Sequence, residues 1–169
     1  MADTLDPALP DDVAARAERV LDLAHQQNIL LTTAESCTGG LLAALLTDVP
    51  GKSHVFERGF VVYSKQAKCD LLDIASDKVE LCGAVSRPVA MDMADGALRE
   101  SGAGLALAIT GFAGPGDPGD EEGLVHFACA MEGQPMAHRE EHFGAIGRQG
   151  VRLAALRVAL QMMEQALSR

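Results

Sequence analysis

The sequence predicts an α/β protein, with helices covering both faces of a mixed, mostly parallel sheet. Strand-like and helical patterns alternate along most of the chain, the arrangement in which helices bury a sheet from two sides. "GLALAIT", residues 104–110, is apolar without interruption, as in a strand enclosed on both faces. Two later runs, "LVHFACAM" and "PMAHREEHF", flank the turn Glu132-Gly133-Gln134 and predict a closing hairpin, which makes the sheet mixed.

Each element has its own signal. Residues 1–10, "MADTLDPALP", are acidic and punctuated by proline, and read as a flexible N-terminal arm. Residues 11–169 are expected to form one domain, since 169 residues suffice for a single ordinary core. Asp11-Asp12 open a helix that places Val13, Ala17, Val20, Leu21 and Ala24 on one face. A strand is expected over 28–33 and an apolar helix over 38–48, ended by Pro50-Gly51. "GFVVYS", 59–64, reads as the second strand, followed by a short helix through Lys68, Leu71 and Leu72. Ser86 caps the next helix, with Pro88 in its first turn. A Gly/Pro/acidic loop fills 111–123. The last helix carries a stripe of Ile146, Leu153, Leu156, Leu160, Met163 and Leu167.

Composition excludes several classes. The 24 acidic and 14 basic residues give a net charge of −10, which argues against non-specific nucleic-acid binding. It permits an anionic small ligand, because a local field can oppose the net charge. Cys37, Cys69, Cys82 and Cys129 form no C-x-x-C pair, and no apolar leader begins the chain. Reduced thiols and a cytoplasmic location are therefore expected. No apolar run approaches the ~18 residues of a membrane span.

The candidate chemistry starts at "TTAESCTGGLLAALL", residues 32–46. A strand-to-helix turn gathers backbone N–H groups that attract an anion or a developing oxyanion. Gly39 and Gly40 allow close backbone approach. Ser36 placed there can attack a carbonyl; alternatively Ser36 or Thr38 is only the helix N-cap, worth ~1 kcal/mol. Cys37 is either a second candidate nucleophile or a small packed side chain. The five histidines are scattered, and "YSKQAK" is the better source of a base: a desolvated Lys loses its proton near neutrality, with Tyr63 as a relay. Arg148 and Arg152 share a face at the start of the last helix. Cations there oppose the helix dipole, which fits a bound phosphate or else pairing with surface acids. "HREEH", 138–142, matches an inverted zinc-protease pattern, but in a strand its histidines stand about 13 Å apart, too far for one metal.

Five stretches then occur in order: "TAESCTGGLLAALLTDVPG", "FERGFVVYSKQAK", "GAVSRPVAMDMADGA", "ITGFAGPG" and "GRQGVRLAALRVAL". Together they resemble the C-terminal domain of CinA, the competence/damage-inducible protein, a family that includes stand-alone nicotinamide-nucleotide amidases. The resemblance implies a three-layer α/β/α sandwich. It implies hydrolysis of nicotinamide mononucleotide to nicotinate mononucleotide and ammonia, in pyridine nucleotide salvage. The Ser/Tyr/Lys site falls on Ser36, Tyr63 and Lys68, and Arg148 matches the arginine opening the last helix. Glu35, Cys37, Thr38, Gly39, Gly40, Thr110, Gly111, Arg148 and Arg152 are the expected substrate-binding residues. No metal, cofactor, nucleic acid or membrane is expected, and the resemblance leaves room for a homo-oligomer such as a dimer. Family members commonly carry Lys-Pro in the glycine-rich loop, where this chain has "GDPGDEEG". The alternative function is a non-catalytic nucleotide-binding module acting through a protein partner.

Overall fold

A computed structural model describes residues 9–169. Five strands, β1 (Leu31–Glu35), β2 (Phe56–Val61), β3 (Leu105–Gly111), β4 (Leu124–Met131) and β5 (Ala137–His142), form one sheet in the order β2-β1-β3-β4-β5. β1 pairs in parallel with β2 and β3, whereas β4 runs antiparallel to both β3 and β5. Four strands thus point one way and only β4 opposes them. The expected hairpin is β4–β5.

Helices α1 (Asp11–Gln26), α2 (Leu41–Thr47) and α6 (Arg148–Leu167) cover one face. Helices α3 (Lys65–Leu72), α4 (Ser76–Cys82) and α5 (Arg87–Ser101) cover the other. The result is the three-layer α/β/α sandwich. The central strands divide their side chains unequally. Leu105, Leu107, Ile109, Val125 and Phe127 face α1 and α6, while Ala106, Ala108, Ala128 and Ala130 face α5. Alternation of side chains across a strand separates the two cores, and the alanines let α5 lie close to the sheet.

Several sequence expectations shift. Of the arm expected over 1–10, residues 1–8 lie outside the described residues; Leu9 packs against the α1/α6 core and the Pro10 carbonyl accepts from Val13 N. β1 runs to Glu35 rather than ending at Thr33, and β2 begins at Phe56. α2 begins at Leu41, because Gly39 and Gly40 hold left-handed φ angles of 59° and 98° that a helix cannot contain. Ile146 is 54% exposed and precedes α6. That helix buries Val151, Ala155, Val158, Ala159, Met162 and Ala166 besides the expected Leu156, Leu160, Met163 and Leu167, while the expected Leu153 is only half-buried. The sheet lies on one side of it and α1 on another, so its buried surface is broader than a stripe. Ser86 does cap α5, accepting from Val89 N, and Pro88 stands in the first turn.

Candidate active site

The carboxyl ends of β1, β2 and β3 lie side by side, where open α/β sheets bind ligands. Ser36 follows β1 directly, its N–H held by Ile109 O at 2.9 Å. After β2, Val62 turns into the core and Tyr63 outward. Ser64 then caps α3 by accepting from Ala67 N, which fixes Lys68 one turn into that helix. The polypeptide thereby carries Lys68 back under Ser36.

Lys68 is wholly buried. Its Nζ donates to Ser36 Oγ at 3.0 Å, Val62 O at 2.8 Å and Tyr63 O at 3.4 Å. It has no carboxylate partner among the described residues, and burial lowers its pKa from 10.5 to about 8. Ser36 is 7% exposed, and Lys68 holds its hydroxyl. Tyr63 enters through its backbone: the side chain is 69% exposed and makes no hydrogen bond to Ser36 or Lys68. The relay expected of the phenol is absent from this arrangement: Tyr63 lies just beyond the end of β2, with its side chain toward solvent.

The helix-capping reading of Ser36 and Thr38 does not hold. Gly40 occupies the N-cap position and offers no side chain. Glu35, fully buried, does the capping from the end of β1. Its Oε1 accepts from Leu42 N at 2.9 Å and Thr38 Oγ1 at 2.7 Å, and its Oε2 from Ala43 N at 3.0 Å. Leu41 N and Ala44 N bond to Thr38 O and Gly40 O. The start of α2 therefore has no N–H left for a ligand, and Glu35, expected among the substrate-binding residues, is engaged internally. The unclaimed donors lie earlier in the turn: the amides of Cys37, Thr38 and Gly40 reach no backbone carbonyl among the described residues. Cys37 packs in the α1/α6 core, and burial pushes its thiol up to about 12.

The remaining expected residues separate into two groups. Thr110 is buried, with its hydroxyl on Ala84 O at 2.8 Å. Gly111 permits close strand pairing, since a Cβ there would fall 2.7 Å from Val125 Cγ2. Both hold the framework. Arg152 instead bridges α6 to the turn, with Nη2 donating to Thr38 O at 2.9 Å. A Cβ on Gly39 would meet that guanidinium at 3.3 Å. Arg152 Nε is buried without a partner among the described residues. Arg148, exposed at the first position of α6, forms no ion pair among the described residues and lies against Gly114 of the glycine-rich loop, where a Cβ would come within 2.9 Å of its Nη2. α6 has no capping side chain and no acid in its first turn. The backbone carbonyls of Val62 and Tyr63, which hold Lys68, carry no signal in a sequence, because every residue has one. The "HREEH" segment forms β5: His138 pairs with His126 at 3.1 Å, and His142 sits between Glu121 at 2.6 Å and Glu140 at 2.9 Å.

Fold and site together define a class: a three-layer α/β/α protein with a buried serine–lysine pair at the carboxyl ends of its parallel strands. More specifically, the chain belongs to the CinA C-terminal domain family, whose profile matches residues 13–167. It is 42% identical to the nicotinamide-nucleotide amidohydrolase PncC of Escherichia coli K12 over 153 residues, covering 88% of this chain and 91% of that protein. It is 44% identical to a CinA-like protein of Chlorobium phaeobacteroides over 156 residues, covering 89% of this chain. The chain spans between 27% and 37% of the length of such longer relatives. The crystal structure of the competence/damage inducible protein CihA from Agrobacterium tumefaciens superposes with a TM-score of 0.90 at 42% identity, covering 95% of this chain and 98% of that one. No helix among the described residues is long and apolar enough to cross a membrane.

Proposed function

We propose that this chain hydrolyses the carboxamide of nicotinamide mononucleotide, releasing ammonia and nicotinate mononucleotide, with Ser36 as nucleophile and Lys68 as base. The observation that carries the reading is the 3.0 Å hydrogen bond between Lys68 Nζ and Ser36 Oγ, made by an amine that burial has brought to about 8. The PncC relative, similar over nearly its whole length, supplies the substrate.

The neutral amine takes the Ser36 proton as Oγ attacks the carboxamide carbon. At pH 7 about a tenth of the lysines are neutral, enough to act as a base. The oxyanion is received by the turn amides that lack internal acceptors, chiefly those of Cys37 and Thr38. The Lys68 ammonium returns its proton to the leaving nitrogen and ammonia departs. Water, deprotonated by the same amine, then frees the acyl group from Ser36. Tyr63 has no proton to carry, since the amine reaches Ser36 directly. Cys37 is a protonated thiol at neutral pH and stays a packing residue. The phosphate of the substrate is taken at the start of α6, where Arg148 is unpaired and Arg152 keeps a buried free N–H. The compartment proposed is the cytoplasm, where the four unpaired cysteines stay reduced.

The test is ammonia release from nicotinamide mononucleotide by the purified chain. Ser36→Ala and Lys68→Arg are each expected to lower turnover by about 10³-fold or more. Wild-type turnover in Ser36→Ala would end the mechanism. Relatives named only for competence or damage give the binding-module reading its support. Nucleotide binding with no ammonia from the wild type would favour it.

A further inference from the structure

We infer that Glu35 and Thr38 form an internal brace that positions the Ser36–Cys37 turn for oxyanion stabilisation, neither of them through its side chain touching substrate. This rests on the reading of Ser36 as nucleophile.

Three observations converge. α2 has neither a capping side chain nor an acid in its first turn, and Glu35 supplies both from the end of β1. The same carboxylate accepts from Thr38 Oγ1 at 2.7 Å, which ties the residue before Ser36 to the one two positions after it. The two residues enclosed by that bond are the nucleophile and Cys37, whose amide reaches no backbone carbonyl among the described residues. Glu35 and Thr38 are both fully buried, so the bond is shielded from competing water. Thr38 O is further held by Arg152 Nη2 and Leu41 N.

The consequence is specific. By taking the Leu42 and Ala43 amides, while Thr38 O and Gly40 O take those of Leu41 and Ala44, Glu35 helps confine the remaining donors to the turn next to Ser36. Donors fixed before reaction are worth more than donors that must reorganise, and a small displacement of the nucleophile costs large factors in rate.

Thr38→Val removes the hydroxyl at nearly constant volume and leaves the Glu35 contacts to α2 in place. Two readouts are taken on the full chain: kcat and KM for ammonia release, and the rate at which a fluorophosphonate labels Ser36, where the Oγ–P bond forms and fluoride leaves. Thr38→Val is expected to lower kcat and the labelling rate by about tenfold or more with KM little changed. Thr38→Ser, which keeps the hydroxyl, is expected to recover most of both. Thr47→Val, at the far end of α2 where the hydroxyl bonds only Ala43 O and Ala44 O, is expected to match wild type. Glu35→Ala is expected to show the same labelling loss at a temperature where circular dichroism shows it folded.

Wild-type kcat and labelling in Thr38→Val would overturn the brace, as would Thr38→Ser being impaired as much as Thr38→Val. A wild-type chain that labels without releasing ammonia would overturn the amidase reading alone, and the comparison of labelling rates would still decide the brace. A wild-type chain that does neither would remove both.

Discussion

Lys68 is a cation placed where a cation is expensive. Three oxygens accept from it, none of them charged, and among the described residues no carboxylate offsets its burial. Two consequences follow from the same lowered pKa. The base must be neutral, so kcat/KM is expected to fall about tenfold per pH unit below the Lys68 pKa and to level off above about 8. A plateau extending down to pH 6 would show that another group takes the proton. The second consequence concerns stability. Between pH 8 and 10.5 the unfolded chain holds a Lys68 proton that the folded chain has released, so the stability contribution rises with pH across that window. Below pH 8 the full cost of the buried charge is present. Lys68→Met removes it, at ~1.4 kcal/mol per pKa unit, but leaves the Val62 and Tyr63 carbonyls without a donor. The expected result at pH 7 is a net gain on the order of 1–2 kcal/mol in urea unfolding together with loss of activity. A destabilised Lys68→Met would mean that the carbonyls outweigh the charge.

Elements with a continuous physical signal were legible, and those that bury little or bury polar groups were not. β3 can be read from its uninterrupted apolar run, β4 from a run broken only by His126, and α5 from Ser86 and Pro88. α4 carries almost no sequence signal, because Val79 is its one buried residue. The strand expected over 28–33 stops short of Ala34 and Glu35 because an acid beside Ser36 looks like a loop residue, yet Glu35 is buried and caps α2. Ser36 and Lys68 were each visible as candidates. Their contact across 32 positions depends on how far α3 turns back under β1, which no local pattern encodes. Tyr63, expected as a relay because it is the single Tyr beside the lysines and by the family resemblance, faces solvent just beyond the end of β2. Gly96 shows the same limit in energetic form. Helix propensity alone predicts that Gly96→Ala in α5 stabilises by about 1 kcal/mol. A Cβ there would stand 2.4 Å from Leu72 O at the end of α3, and backbone has little room to retreat. Gly96→Ala is therefore expected to destabilise by about 1–3 kcal/mol, as α5 and α3 are forced apart. A raised melting temperature would refute that close approach.

At the scale of the whole molecule, one sheet separates two cores of different texture. Phe127 is buried among Leu, Ile, Val and Met side chains on the α1/α6 face, and Met93 among alanines and valines on the α5 face. Neither core closes without the sheet, because each is lined by alternate residues of the same strands: Leu105, Leu107 and Ile109 on one side, Ala106 and Ala108 on the other. Losing either layer exposes the strands that the other layer packs against, so the two cores are expected to melt together. Phe127→Ala should cost about 3–5 kcal/mol and Met93→Ala about 2–5 kcal/mol, each lowering a single transition seen alike by circular dichroism and by calorimetry. The two residues belong to separate clusters with the sheet between them, so the double variant should lose the sum of the two costs to within about 0.5 kcal/mol. Two resolved transitions in either variant would show that the layers fold as independent units. A large departure from additivity would show that strain crosses the sheet. In that case the Ser36 turn, which takes its nucleophile from β1 and its base from α3, would feel a mutation on either face. Additivity instead leaves the site's geometry governed by the strand ends and the helix starts that meet there.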